Sequence, residues 1–275
     1  MSVKNILEVN NLSKTFGRGS HAIRAVQDIS FCIREGSTLG VLGESGSGKS
    51  TLGRCLLRLI EPDNGQVRFQ GEDITFLNRD EFRKRRKNMQ MIFQNPYGSL
   101  NPKMTIGENV CDPLTIWGLG DSISRRQEAQ RLLDLVGVRG RSLDHFPHEF
   151  SGGQQQRICI ARALALKPKL LVCDEATSAL DVSVQAQIIN LLMDLQKEFK
   201  LTFIFISHNL GVVEYMSDEV LIMQNGRMKE LSTTEEIYKY PKNKYTKTLI
   251  GSVPRMPSIE ELKLKYELDL DRLKG

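Results

Sequence analysis

Nine consecutive residues, Gly43-Glu44-Ser45-Gly46-Ser47-Gly48-Lys49-Ser50-Thr51, contain every fixed position of the pattern G-x-x-x-x-G-K-[ST]. Such a loop folds so that successive backbone N–H groups converge on phosphate oxygens, aided by the start of the following helix. Lys49 can then bridge the β- and γ-phosphates of a nucleotide, and the Ser50 hydroxyl can reach Mg2+. The chemistry on offer is binding and transfer of a phosphoryl group.

Other groups supply what a phosphate loop lacks. The apolar run "KLLVCDE" ends in two acids, Asp174 and Glu175. Acids delivered by a buried strand need a cation or a polarised water beside them. Asp174 would hold Mg2+, directly or through water, while Glu175 would orient or deprotonate an attacking water. Gln94 ends "MQMIFQ" and His208 follows "LTFIFIS". Both stand at carboxyl ends of apolar strands, where doubly wound sheets gather ligands, so His208 is expected at the γ-phosphate. A further anion site is suggested by "HEFSGGQQQR", in which Ser151, Gly152, Gly153 and Gln154 precede an apolar helical run. Ser151 offers a hydroxyl, and the glycines leave N–H groups unobstructed beside a helix N-terminus.

The elements that must position these groups are legible in the periodicity. Up to about residue 75, "ILEVNNL", "VQDISFCI" and "GQVRFQG" alternate like antiparallel strands. Within that stretch, "STLGVLG" is a compact apolar strand leading through the phosphate loop into a helix over "KSTLGRCLLRLI". From Asn95 to about Ala165 the pattern is helical, clearest in "SRRQEAQRLLDLVGV". Apolar strands then alternate with helices over "DVSVQAQIINLLMDLQKEF" and "NLGVVEYM", which implies a parallel sheet covered on both faces. "VLIMQNGRMKEL" reads as a hairpin turning at Asn225-Gly226. Beyond Val253 the chain is charged and weakly helical, suited to a mobile tail or a docking element.

Composition limits the remaining classes. The 275 residues are 40% hydrophobic and 26% charged with net charge +5, an ordinary globular composition. The basic run Arg83–Lys87 could meet nucleic acid or anionic lipid, but reads as a solvated helix face. Five dispersed cysteines without CxxC spacing argue against a disulfide framework or structural metal, and for a reducing compartment. No signal-peptide pattern and no run of about 18 apolar residues is present. The expectation is a cytosolic chain whose membrane role, if any, comes through a partner.

In this order, the phosphate loop, Gln94, "SGGQ", "DE", "SALD" and His208 resemble the ATPase subunits of ABC transporters, over about residues 5 to 255. "MIFQNPYGSLNPKMTIGENV", "FPHEFSGGQQQRICIARAL" and "NKYTKTLIGSVP" are similar to subunits of oligopeptide, dipeptide and nickel importers. The resemblance implies an α/β P-loop NTPase: a RecA-like parallel core sheet, an N-terminal antiparallel β-subdomain and a helical signature subdomain. One ATPase domain would span 1–255, with core and β-subdomain over 1–95 and 166–235, the helical part over 96–165, and a C-terminal extension over 236–275.

It also implies roles. Gly43 to Thr51 match Walker A, Gln94 the Q-loop, Asp174 and Glu175 Walker B, Ser178 to Asp181 the D-loop, and His208 the switch histidine. Lys49, Gln94, Glu175 and His208 would be catalytic, and Ser50, Gln94 and Asp174 would serve Mg2+. Phe16 stands where relatives stack an aromatic ring on adenine, a contact that needs only a π-face. Two such subunits would pack head to tail, so that each "SGGQ" closes over ATP held by the other's loop. The implied partners are a second, paralogous ATPase, two membrane permeases docking at Asn95–Trp117, and indirectly an extracytoplasmic binding protein. The place would be peripheral, at the cytoplasmic face of the membrane, with no nucleic acid.

Three departures stand out: Ala176 replaces a common proline, Asn209 replaces an aspartate, and a cysteine-rich C-terminal segment is missing. Nickel or metal-chelate import is the alternative to peptides. A DNA-repair ATPase is disfavoured by the short interval between Ser50 and Ser151, without heptads or CxxC. A translation factor would carry two ATPase domains, and "SLNPKMTIGE" disfavours an exporter.

Overall fold

The computed structural model describes residues 4–138, 143–178 and 180–252. In chain order its strands are β1 (Asn5–Phe16), β2 (Ile23–Arg34), β3 (Thr38–Leu42), β4 (Asn64–Phe69), β5 (Glu72–Asp73), β6 (Met89–Ile92), β7 (Leu170–Asp174), β8 (Thr202–Ser207), β9 (Glu219–Gln224) and β10 (Arg227–Thr233). Its α-helices are α1 (Lys49–Leu56), α2 (Arg79–Arg86), α3 (Pro96–Ser99), α4 (Ile106–Ile116), α5 (Ser122–Leu135), α6 (Gly152–Leu164), α7 (Val182–Phe199), α8 (Leu210–Met216), α9 (Thr234–Lys239) and α10 (Lys244–Gly251).

The strands form two sheets, ordered β2-β1-β4-β5 and β10-β9-β3-β8-β7-β6. The first is antiparallel throughout; in the second only the β10–β9 edge pair is antiparallel, and β9, β3, β8, β7 and β6 run parallel. The parallel strands are apolar along their whole length because alternate residues feed different cores. On β7, Leu170 and Val172 join the core shared with α1 and the antiparallel sheet, while Leu171 and Cys173 join the core under α4 to α8.

The hairpin turns where the sequence places it: Asn225 and Gly226 have φ of 50° and 76°, the type I′ requirement. The helix after the phosphate loop is shorter than its pattern suggests, ending at Leu56 instead of continuing to Ile60. Arg58 takes φ 45°, and its guanidinium donates to the carbonyls of Ile74 and Leu77 and pairs with Glu61. These tertiary bonds replace the next helical turn. Of the basic run, Arg83, Lys84 and Arg86 are exposed on α2 and Arg85 is half-buried in an ion pair with Glu72; the helix is closed at its start by a capping box between Asn78 and Glu81. The charged segment beyond Val253 lies outside the described residues.

Cys55, Cys159 and Cys173 are buried small core residues, and burial pushes their thiols up to about 11, 11 and 12. Among the described residues no helix is long and apolar enough to cross a membrane.

Candidate phosphate-binding cleft

β3 carries the chain into the loop Gly43–Gly48, and α1 starts at Lys49 behind it. The loop floors an open cleft of about 760 Å³ lined by Ser45, Gly46, Gly48, Lys49, Ser50, Thr51, Gln94, Glu175 and Phe16. Gly48 takes φ 101°, and a Cβ there would strike the backbone carbonyl of Ala25, so β2 presses directly on the loop. Lys49 Nζ donates 2.8 Å bonds to the carbonyls of Gly43 and Glu44, which hold the ammonium over the loop. Burial draws its pKa below the ordinary lysine value, opposed by the carboxylates of Glu175, Asp174 and Glu44.

Asp174 ends β7 next to the loop. Ser50 Oγ donates to Asp174 Oδ1 at 2.6 Å, and Arg54 lies 3.6 Å from Oδ2. Burial raises the Asp174 pKa against the opposing Ser50 bond and Arg54 charge. A buried carboxylate and a hydroxyl, both hard oxygen donors, suit Mg2+. No group of three or more His, Cys, Asp or Glu able to hold a metal occurs among the described residues. A cation here would therefore depend on few protein ligands plus phosphate oxygens.

Glu175 follows in a left-handed conformation, φ 47°, its N–H bonded to the Ile206 carbonyl of β8. A non-glycine residue in that region costs energy that the surroundings must supply, and such residues concentrate at functional sites. Its Oε2 accepts from Gln94 Nε2 at 3.0 Å and lies 3.4 Å from His208 Nδ1. Three strand ends, β6, β7 and β8, thus bring Gln94, Glu175 and His208 together. Gln94 Nε2 also donates to Ser178 Oγ at 3.3 Å, so its amide nitrogen is engaged with acceptors. Asn209 caps α8, accepting from Val212 N, a task that needs only an acceptor oxygen and explains why an amide serves in place of an acid. Asp181 caps α7 in the same way and lies away from the cleft lining.

The second anion site is separate. None of Ser151, Gly152, Gly153 or Gln154 lines the cleft. Ser151 and Gln154 form a capping box at the start of α6, Gln154 N donating to Ser151 Oγ and Ser151 N to Gln154 Oε1. Gln155, fully inside, donates to the carbonyls of Pro147 and Phe150 and fixes the approach to the helix. Gly153 also has a packing reason to be glycine: a Cβ there would sit 2.5 Å from Val184 Cγ1 of α7.

Part of the lining comes from residues that no phosphate-binding motif marks. Arg24, Ala25 and Gln27 of β2 and the Asn225-Gly226 turn also border the cleft. Gln27 N donates to the Gly226 carbonyl and Gln27 Nε2 to the Asn225 carbonyl, at 2.8 and 2.7 Å. Residues almost two hundred positions apart meet here, and no local pattern announces it.

The chain is similar to known proteins over most of its length. A family model described as "ABC transporter" matches residues 26–178. The oligopeptide transport ATP-binding protein AppF of Bacillus subtilis is 46% identical over 259 residues, 91% of this chain and 79% of its own length. The di/tripeptide transport ATP-binding protein DppF of Pseudomonas aeruginosa is 41% identical over 271 residues, 98% of this chain and 84% of its own. Among solved structures, the dimeric post-hydrolysis ATP-binding cassette MJ0796 with ADP and Pi superimposes with TM-score 0.74 at 31% identity, covering 83% of this chain and 98% of that one.

Proposed function

The chain belongs to the ABC transporter family, and from that premise we propose that it is the ATP-binding and ATP-hydrolysing subunit of a peptide importer. The observation that carries the catalytic part is the meeting of Gln94, Glu175 and His208 beside the Ser50–Asp174 pair. The peptide class is supported by the names of the relatives, a di/tripeptide and an oligopeptide transport ATP-binding protein.

Loop N–H groups and Lys49 bind the ATP phosphates, exchanging the Gly43 and Glu44 carbonyls for phosphate oxygens. Ser50 Oγ and Asp174 would hold Mg2+, with the free side-chain oxygen of Gln94 in support; when bound, the ion neutralises charge on the β- and γ-phosphates. Glu175 accepts the proton of the attacking water, and Gln94 and His208 orient its carboxylate. Phe16, 40% exposed at the cleft mouth, stacks on the base.

Ser151 to Gln154 act on ATP held by a second, paralogous ATPase subunit, and the partner's equivalent loop acts on this chain's ATP. Nucleotide binds better across the closed pair than to either half, so it shifts the population to closure until hydrolysis releases it. Asn95–Trp117 passes that motion to two permeases, which places the subunit at the cytoplasmic face of the membrane; an extracytoplasmic binding protein delivers the peptide. A single ATPase domain over 1–255, with the helical part at 96–165, accounts for these contacts.

Reconstitution of the chain with its permeases, second ATPase and binding protein tests this reading. A di- or oligopeptide should stimulate ATP turnover, whereas stimulation by Ni2+ alone would assign the subunit to metal import.

A further inference from the structure

The end of β1 that presents Phe16 is gripped from outside its own strand. Asp63, the residue before β4, accepts from Thr15 N at 2.6 Å through Oδ2 and from Lys14 Nζ at 2.7 Å through Oδ1. Its own N–H donates to the Ser13 carbonyl at 2.9 Å. One residue thus binds three successive positions just ahead of Phe16, and the Lys14 ammonium lies 5.6 Å from the centre of the Phe16 ring.

The β1–β2 ladder reaches this end, pairing Thr15 with Arg24 and Phe16 with Ile23, but it is irregular there. The β1–β2 register shifts between Leu12 and Lys14 and again between Lys14 and Thr15, and the β1–β4 register shifts between Asn10 and Ser13. The Lys14 side chain is 15% exposed and that of Asp63 39%, and an ion pair with one partner open to solvent adds little to stability. Its geometric effect is the larger one. The Lys14 bond holds the Asp63 carboxyl below the ordinary range, so the ion pair persists into acidic solution.

We propose that Asp63 is a positioning residue for base recognition, fixing through Thr15 and Lys14 the angle at which the Phe16 ring meets a flat purine at the cleft mouth. The proposal rests on the reading of Phe16 as the base-stacking residue. It predicts an effect on the base and none on the phosphates.

Equilibrium binding of MgATP and of magnesium tripolyphosphate, which keeps the phosphates and lacks a base, to the full chain tests it. Asp63→Ala should weaken MgATP roughly two- to tenfold, the range of one aromatic stack, and leave tripolyphosphate unchanged. Phe16→Ala should do the same, and the double variant should be no weaker than Phe16→Ala alone. Asp63→Asn, which keeps an acceptor for Thr15 N and the fold, should fall between wild type and Asp63→Ala. Equal weakening of both ligands, or additive losses in the double variant, would overturn the positioning role. If Phe16→Ala binds MgATP normally, the stacking reading itself fails and Asp63 falls with it. If only Phe16→Ala is impaired, Asp63 alone is wrong.

Discussion

Two glycine-rich loops precede helices in this chain, and they are built for opposite circumstances. Around Gly43–Gly48 the groups converge: Lys49, Ser50, Asp174, Glu175, Gln94 and His208 come from α1 and the ends of three strands and bond to one another or to the loop. Around Ser151–Gln154 the polar groups are satisfied locally by a capping box, and Gly153 is packed against Val184. The first loop keeps a buried carboxylate with a raised pKa and a strained glutamate; the second keeps neither. Strain and unfavourable burial fall at the loop proposed to do chemistry, while the loop proposed to serve a neighbouring subunit is locally relaxed.

The contrast can be broken most decisively by kinetics. Glu175→Gln should lower ATP turnover of the assembled transporter by about 10²- to 10⁴-fold while ATP affinity stays near wild type. Ser151→Arg should also stop the assembly, yet the isolated chain should bind ATP unchanged. Weakened binding by the isolated Ser151→Arg chain would show that the signature touches its own nucleotide, and the distinction between the loops would collapse.

A smaller effect tests the packing of the second loop. Gly153→Ala should destabilise the chain by about 1–3 kcal/mol in denaturant unfolding, because its Cβ meets a branched side chain on a neighbouring helix. Adding Val184→Ala should recover much of that loss. No recovery would show that the Val184 contact is not what requires glycine at 153.

The smallest effect has the opposite sign and sharpens the first loop. The Asp174 pKa is raised, so ionised Asp174 is worse off folded than unfolded. Its cost to stability is present above the raised pKa and vanishes as pH falls towards the ordinary aspartate value of 3.8. Asp174→Asn keeps an acceptor for Ser50 and should raise the nucleotide-free melting temperature by about 2 °C at neutral pH. The gain should shrink as the pH is lowered, and Mg2+-dependent ATP binding should be lost. A lower melting temperature at neutral pH would show that the Ser50 and Arg54 contacts outweigh burial.

How much of this was legible beforehand depends on how local each signal is. The phosphate loop, the acids at the end of β7 and the Asn225-Gly226 turn are contiguous patterns whose backbone demands select particular residue types, and each lies where its pattern put it. The early end of α1 at Leu56 was not legible, because Arg58 leaves the helix for carbonyls of Ile74 and Leu77. Gly153 looked like an anion-loop glycine for the same reason: the side chain that forbids a Cβ belongs to α7. The contribution of Gln27 and Asn225 to the cleft rests on a hydrogen bond between β2 and the distant β9–β10 turn.

By itself, then, the sequence determined the chemical groups, their strand-end placement and the family, because phosphate binding and parallel-sheet burial write short-range patterns of glycine and apolar residues. Only the tertiary structure decided which groups meet: that Gln94 and His208 converge on Glu175, that Asp63 holds the strand carrying Phe16, and that "SGGQ" stands apart from the cleft. Those relations depend on how two sheets and a helical layer pack around shared cores, and packing joins residues whose separation along the chain carries no signal.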